Sequence, residues 1–450
     1  MNIKNYGFDE SIIAETTIID KDNHGFIRQT VKDADIQIDD VVFIDYDGTI
    51  LYSYKASTFL QMRDMPKNPT HDGLISRGWN WSFEDAQAYV QKYGKLNVGQ
   101  MYAPADGKTH IKIHIPDWGS HALELCFTQT IANGVIVDWG DGSENDTSDV
   151  INGPAYLEHS YTNDTADYEI TIKTIDGCKI GYGYDNGEEN GYISFYNNSQ
   201  NHTTSYAAYM TNIIVSDSVM KIGNRAFDNC HMLQSLIISD SVTIIEQNAF
   251  NNCYALKSLT IPNSITSIGD HAFSRCYLLK SLSIPNSVTD INSSAFSGCH
   301  NLQPTLTIPD TIISIGNSVF NNCRSLQSLI IPDSVESIGD NTFTNCYNLQ
   351  SLNIPDSVES IGMYAFSTSL NLHSLVIPES LTNIGYMAFY NSALYKCIVQ
   401  STTPPTLDRT PFYSISSDAK ILVPAESVDA YKAAEGWSTY AEQIFAIEEE

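Results

Sequence analysis

Apolar positions in the second half of the chain recur with a long fixed period. A Phe returns at Phe227, Phe250, Phe273, Phe296, Phe320, Phe343, Phe366 and Phe389, in steps of 23 residues with a single step of 24. The extra residue falls at residues 303–305, where NLQPTLTIP replaces forms such as ALKSLTIP, and Phe412 lies a further 23 residues on in a changed context. Self-similarity at such a period marks a stacked-repeat architecture. Each unit reads L-x-S-L-x-I-P-x-S-V-x-S-I-G-x-x-A-F-x-x-C-x-x, most clearly over residues 326–348. The L-x-x-L-x-I part alternates as a short half-buried strand must. Pro332 ends that strand because it has no N–H for a ladder. Ser334 and Val335 are expected to open a second extended piece, closed by Ile338 and Gly339. Gly223, Gly269, Gly316, Gly339, Gly362 and Gly385 share one corner, which requires either a positive φ or close backbone approach. One unit cannot bury its own apolar edge. Stacking at about 4.8 Å per rung buries Leu on Leu, Ile on Ile and Phe on Phe, and eight rungs make a rod of roughly 40 Å.

These residues resemble the BspA-like leucine-rich repeat family, whose units carry I-P-x-S-V-x-x-I-G-x-x-A-F-x-x-C, over about residues 211–400. The resemblance implies a solenoid. It also implies a bacterial or protist surface protein that binds host or matrix components. Ser239 stands in place of Pro, Glu246 and Asn292 in place of Gly, and Ser369 in place of Cys, so these corners are expected to depart locally. Residues 401–450 resemble the cap that follows such repeats: ILVP echoes the strand, Pro424 and Ser427 start a helix with Val428, Ala430 and Tyr431, and Trp437 covers the open end.

Six of the nine cysteines hold one repeat position: Cys230, Cys253, Cys276, Cys299, Cys323 and Cys346. A disulfide or metal framework is one reading. A small buried residue stacked once per rung is the other, and it is preferred because no CxxC or His-paired spacing exists.

The chain divides into a small α+β attachment module at 1–105, a β-sandwich with linker at 106–205, repeats at 206–400 and the cap at 401–450. In the sandwich, KIHIP, LELCF, GVIVDWG, YEITIKTI and CKIGYGY read as strands between turns. Its VDWGDGS, HSY and YEITI segments resemble the PKD-type, immunoglobulin-like fold, in which they are structural. Asp138 and Asp141 offer oxygens to Ca²⁺, but turn chemistry is the preferred role. Residues 185–206 read as an edge hairpin or linker. In the first module, residues 36–53 suggest a hairpin around Tyr46-Asp47-Gly48, and residues 82–93 a helix with Ser82 and Asp85 as a capping box. FIDYDGT, GWNW and KYGKL resemble modules that precede such repeats in gut bacterial and phage-type proteins. The fold class expected is therefore mainly β: a repeat solenoid, an Ig/PKD-like sandwich and a small α+β domain.

Charge narrows the partners. The formal net charge is −29, and residues 1–210 hold 31 acidic against 14 basic side chains. Such a chain repels nucleic acid and anionic membranes. The opening MNIKNYGFDESIIAETTIIDKD lacks a basic stretch before an apolar core, so no secretory signal is read there, and no sorting or lipidation motif is read at QIFAIEEE. No run of 18 apolar residues exists to span a membrane. Asp45-Tyr46-Asp47-Gly48-Thr49 matches the D-x-D-G-T segment of haloacid-dehalogenase-type phosphatases, in which Asp45 would attack phosphorus and Asp47 act as acid/base. That chemistry needs further motifs on a parallel α/β sheet, and the shorter reading is a D-G hairpin turn. No catalytic residues and no cofactor are assigned.

Two rows on the repeats are candidate contact positions. The strand slots Ser235, Ser258, Ser281, Ser328, Ser351 and Ser374 are expected to be exposed, beside Ile237, Thr260, Ser283, Thr307, Ile330, Asn353 and Val376. After each cysteine stand His231, Tyr254, Tyr277, His300, Arg324 and Tyr347. Tyr and Arg are common binding hot spots, and Tyr can stack on sugar rings. The plainer reading is a solvated ridge of turns. The function expected is non-enzymatic recognition of a protein or glycan receptor. The settings are a phage or prophage tail or, alternatively, a bacterial surface adhesin, with self-association through the N-terminal module.

Overall fold

The structure is a computed structural model that describes residues 16–19, 26–29, 40–44, 49–71, 74–79, 83, 86–87, 90–91, 94–115, 122–153, 155–161, 166–182 and 210–447. The chain forms two units, Met1–Asp106 and Gly107–Glu450.

In the first unit Val41–Ile44 lies between Ile50–Tyr54, antiparallel, and Leu96–Pro104, parallel, while Leu74–Trp79 flanks the latter antiparallel. Phe43 is fully buried, 4.9 Å from the Trp79 ring, with Phe59, Ala86, Val90 and Val98 around it. Phe83, Ala86, Gln87, Val90 and Gln91 are helical, whereas the capping pair Ser82 and Asp85 lies outside the described residues. The Asp45–Asp47 segment also lies outside them. The strands on either side of it pair antiparallel, as in a hairpin, with Val41 opposite Tyr54.

The second unit begins as a two-sheet sandwich. One sheet runs in the order Asp146–Thr147, Val135–Asp138, Ala166–Thr174, Thr109–Ile115. The other runs Ala155–Ser160, Ala122–Gln129, Ile180–Tyr182. Neither stops there. Met210–Ile214 pairs antiparallel with Thr109–Ile115 and parallel with Ser235–Ile237. Ile180–Tyr182 pairs antiparallel with Ala122–Gln129 and parallel with Val219–Ile222. One sandwich sheet thus runs on as the ladder of short strands to Thr406–Leu407, and the other continues as far as Ser235–Ile237. One apolar core is continuous from Ile111 to Ile444. An exposed end of a parallel ladder invites pairing with another chain, and the sandwich removes that exposure. The expected linker at 185–206 lies outside the described residues.

Each rung contributes two strands. In the clearest copy these are Ser328–Ile330 and Ser337–Ile338. Leu326, Leu329, Ile331, Val335, Ile338, Phe343 and Cys346 point inward and are buried. The second extended piece is shorter than expected. The Val335 N–H donates to the Pro332 carbonyl at 3.1 Å, closing a turn. Ser334 Oγ donates to the Ile312 carbonyl one rung back at 2.6 Å. The corner glycines serve close approach, not a positive φ. A Cβ on Gly269 would lie 2.5 Å from Gln247 N, and one on Gly385 2.5 Å from the carbonyl carbon of Gly362. The left-handed positions are elsewhere, in the A-F-x-N-C turn: Asn229, Asn252, Asn322 and Asn345 have φ between 61° and 64°.

The departures are accommodated by side chains. Ser369 Oγ donates to the Phe343 carbonyl, the same bond that Cys346 Sγ makes to Phe320. Glu246 accepts the Asn224 N–H at 2.9 Å and pairs with Lys221. Ser239 is buried and hydrogen-bonded to Asp217. At the one-residue insertion Ser281–Ser283 does not pair with Thr305–Thr307. The buried Gln303 fills the gap: its amide accepts the Leu282 N–H and donates to the Leu282 carbonyl, each at 3.0 Å.

Nine Phe rings, Phe227 to Phe412, stack nearly parallel with centroids 5.1–6.0 Å apart, widest between Phe296 and Phe320 across the insertion. Tyr182 closes one end of this column at 64° to Phe227. Tyr440 closes the other, edge-on to Phe412 at 86°, with Trp437 beside it. The helix Val428–Ala433 brings Tyr431 against Trp437, whose Nε1 donates to the Pro405 carbonyl at 2.7 Å.

Candidate recognition surface

The residue after each cysteine stands two positions beyond a left-handed residue, so its side chain leaves the turn in the same direction on each of these rungs. His231, Tyr254, Tyr277 and His300 consequently form a second column. Their rings stack at 4.5, 4.8 and 4.6 Å with interplanar angles of 5°, 8° and 11°. The Arg324 guanidinium stands over the Tyr347 ring at 5.6 Å. All six predicted residues are therefore placed along one edge. Tyr254 and Tyr277 are covered on both faces by neighbouring rings, His231 and His300 on one.

Electrostatics follows from this packing. Burial lowers the pKa of His231, and burial together with the Arg324 charge lowers that of His300, so both imidazoles are held neutral. Burial, and then the neighbouring Tyr277, raises the Tyr254 phenol. Arg324 is the exposed cation of the row, whereas His231 Nε2 is buried and offers solvent nothing.

The strand row is outward for most of its length. Ser258 and Ser281 are half-buried and Ser374 is exposed, while Thr307, Ile330, Asn353 and Val376 face solvent. Ser235 and Ile237, expected in the same exposed rows, are buried at 8% and 5% exposure. They stand on the first repeat strand, where the sandwich sheet joins, and are not part of an open face. A second aromatic group had no place in the sequence reading. Tyr364 meets Tyr386 edge-on at 5.5 Å, Arg409 stands over Tyr386 at 5.6 Å, and Tyr390 stacks on Tyr413 at 5.9 Å. The signal was the density of Tyr in the last two repeats.

The in-register cysteines are buried free thiols. Cys253, Cys276, Cys299, Cys323 and Cys346 each donate to the carbonyl of the Phe one rung earlier, at 3.3–3.6 Å. Burial pushes the Cys346 thiol up to about 12, far from the thiolate needed to bind metal or attack a disulfide.

In the sandwich, Asp138 and Asp141 accept the Gly140 and Ser143 N–H groups at 2.9 and 3.0 Å. His159 stacks on the buried Trp139 at 4.8 Å and bonds to Asp141 at 2.8 Å. Burial pulls the Asp141 pKa up, but hydrogen bonds from Ser143 and His159 prevail and hold it at about 2. Tyr161 Oη donates to the Trp139 carbonyl at 2.8 Å, closing the same cluster. These carboxylates are engaged in turn geometry.

Residues 200–306 and 303–417 match the BspA-type leucine-rich repeat region, in six copies. The solved leucine-rich repeat protein of T. pallidum is 30% identical, covering 34% of this chain and 72% of that one, with a TM-score of 0.32. The repeat region of this chain, residues 200–417, is thus similar to the BspA-type leucine-rich repeat family. A leucine-rich repeat protein from Bacteroides ovatus is 26% identical, over 53% of this chain and 67% of that one, at a TM-score of 0.40. A leucine-rich cell surface protein from Faecalibacterium prausnitzii is 26% identical, over 51% and 83%, at 0.30. Among curated proteins nothing matches. The BspA-type region covers the rungs that carry both rows, and no helix among the described residues is long and apolar enough to cross a membrane.

Proposed function

We propose that this chain is a non-enzymatic recognition protein of the cell surface or extracellular space. In this reading its solenoid binds a protein or glycan receptor. One observation carries the reading: inward positions repeat from rung to rung while outward ones change. Leu259, Leu282, Leu306, Leu329 and Leu352 are all buried, but Thr260, Ser283, Thr307, Ile330 and Asn353 share only their outward direction. A rigid interior with a freely varied exterior suits recognition. The column from His231 to Tyr347 would contribute ring rims and a guanidinium, not the faces of Tyr254 and Tyr277 for sugar stacking. The PKD-like sandwich would serve as stalk and as lid for the first rung, and the N-terminal unit would attach or self-associate. The specific setting proposed is a receptor-binding protein of a phage or prophage tail, with a bacterial adhesin as the alternative. Tail genes or a sorting anchor in the gene neighbourhood separate the two.

The test is an array of surface glycans and proteins probed with the full chain. Arg324→Ala and Thr307→Arg, both at exposed positions, are expected to weaken a detected interaction by about tenfold or more with the melting temperature unchanged. Undiminished binding in both, and in Tyr254→Ala/Tyr277→Ala, would sink the assignment to this face.

A further inference from the structure

At the C-terminal end the longer strands form a parallel sheet in the order Ser374–Ile377, Lys396–Val399, Lys420–Val423, Ile444–Ala446. Burial alternates along each strand, so every second residue faces outward. Two outward rows result. Val376, Ile398, Leu422 and Phe445 are register partners in turn, and Phe445 is 45% exposed. Beside them Lys396 lies directly opposite Lys420, both exposed, with the Lys420 ammonium 5.8 Å from the centre of the Phe445 ring.

Two features of this face point to a partner. Like charges directly opposite one another in a sheet are unfavourable. Yet in a chain of net charge −29, neither lysine has a carboxylate partner among the described residues. The second feature is the edge. Ile444–Ala446 ends the sheet order, with no strand beyond it among the described residues. Sheet edges are ordinarily blunted by proline or charge, and this one reads Ile-Phe-Ala.

We propose that this edge receives an extended acidic segment of a partner protein as an added strand. Acidic side chains would lie in the row of the two lysines, with Lys420, one strand in from the edge, the nearer cation and Lys396 adding its charge from the strand behind, and apolar ones beside Phe445. Main-chain hydrogen bonds supply affinity in such strand addition, and the outward side chains supply choice. Because side chains on one face recur every second residue, the matching pattern is acidic-x-apolar-x. The surface lies beyond the rungs that carry the ring column, so the inference does not depend on the function proposed above.

The probe is a fluorescein-labelled, end-capped peptide, Glu-Thr-Val-Thr repeated twice, titrated into the full chain and followed by anisotropy. Saturable binding is expected, weakened by added salt. Lys396→Glu/Lys420→Glu should weaken it by about tenfold or more and favour the Lys-Thr-Val-Thr peptide instead. Hydrogen exchange should slow at residues 444–446 when the peptide is bound. Absence of saturable binding, or equal affinity for the reversed-charge variant, overturns the proposal. So does a concentration-dependent dimer abolished by Phe445→Glu, which would assign the edge to a second copy of the chain.

Discussion

Every turn of this coil places two residues in left-handed backbone, a conformation that costs most L-residues about 1–2 kcal/mol and Asn or Gly less. At the position before the cysteine, Asn229, Asn252, Asn322, Asn345 and Gly298 meet the demand cheaply. Thr368, at φ 60°, does not, because its branched Cβ crowds the neighbouring peptide. Thr368→Asn is therefore expected to stabilise the protein by about 0.5–1 kcal/mol, read as a higher urea midpoint at an unchanged m-value. An unchanged or lowered midpoint would show that the Thr368 environment offsets the backbone cost. The Asn-Cys pairs were visible in the sequence, but an Asn alone does not report its φ. The glycines drew attention instead, and their need proved to be space for the next rung.

At the scale of the element, the ladder of short strands stays paired across the repeat slip, Ile291 opposite Ile315, while the ladder of longer strands does not. The insertion at residues 303–305 breaks one ladder, and Gln303 reproduces a peptide group with its side-chain amide. Gln303→Leu keeps the volume but leaves the Leu282 N–H and carbonyl without these partners in a buried place. A loss of about 2–3 kcal/mol is expected, measured by chemical denaturation, with faster hydrogen exchange at Leu282. If the loss is under about 0.5 kcal/mol, the clasp is not what holds the two halves together. The column of His231, Tyr254, Tyr277 and His300 belongs to this scale too. Its positions were legible from a period of 23, whereas ring-on-ring contact followed from the turn's fixed exit direction. That contact removes the faces of Tyr254 and Tyr277 that sugar stacking requires.

Across the whole second unit, the sandwich and the solenoid share both sheets and a single core. The pairing of Thr109–Ile115 with Met210–Ile214, and of Ile180–Tyr182 with Val219–Ile222, makes the sandwich the N-terminal closure of the repeats. A chain beginning at Gly107 should melt in one transition by calorimetry. A chain beginning at Met210 would expose the edges of Met210–Ile214 and Val219–Ile222 together with the Phe227 ring. It is expected to aggregate on light scattering and to melt at lower temperature. Equal melting of the two, with no scattering, would mean that the repeats close themselves.

The period of the Phe, Leu and Cys positions by itself determined the coil and its inward residues, because a 23-residue pattern has few ways to bury the same side chains on every copy. The strand-like runs of residues 109–183 likewise announced a β unit. Tertiary structure decided how these parts join, since pairing between Thr109–Ile115 and Met210–Ile214 links residues about a hundred positions apart and leaves no local trace. It also decided which surface rings are free and which lysines stand side by side, because both depend on the register between neighbouring rungs, and register is a property of the stack.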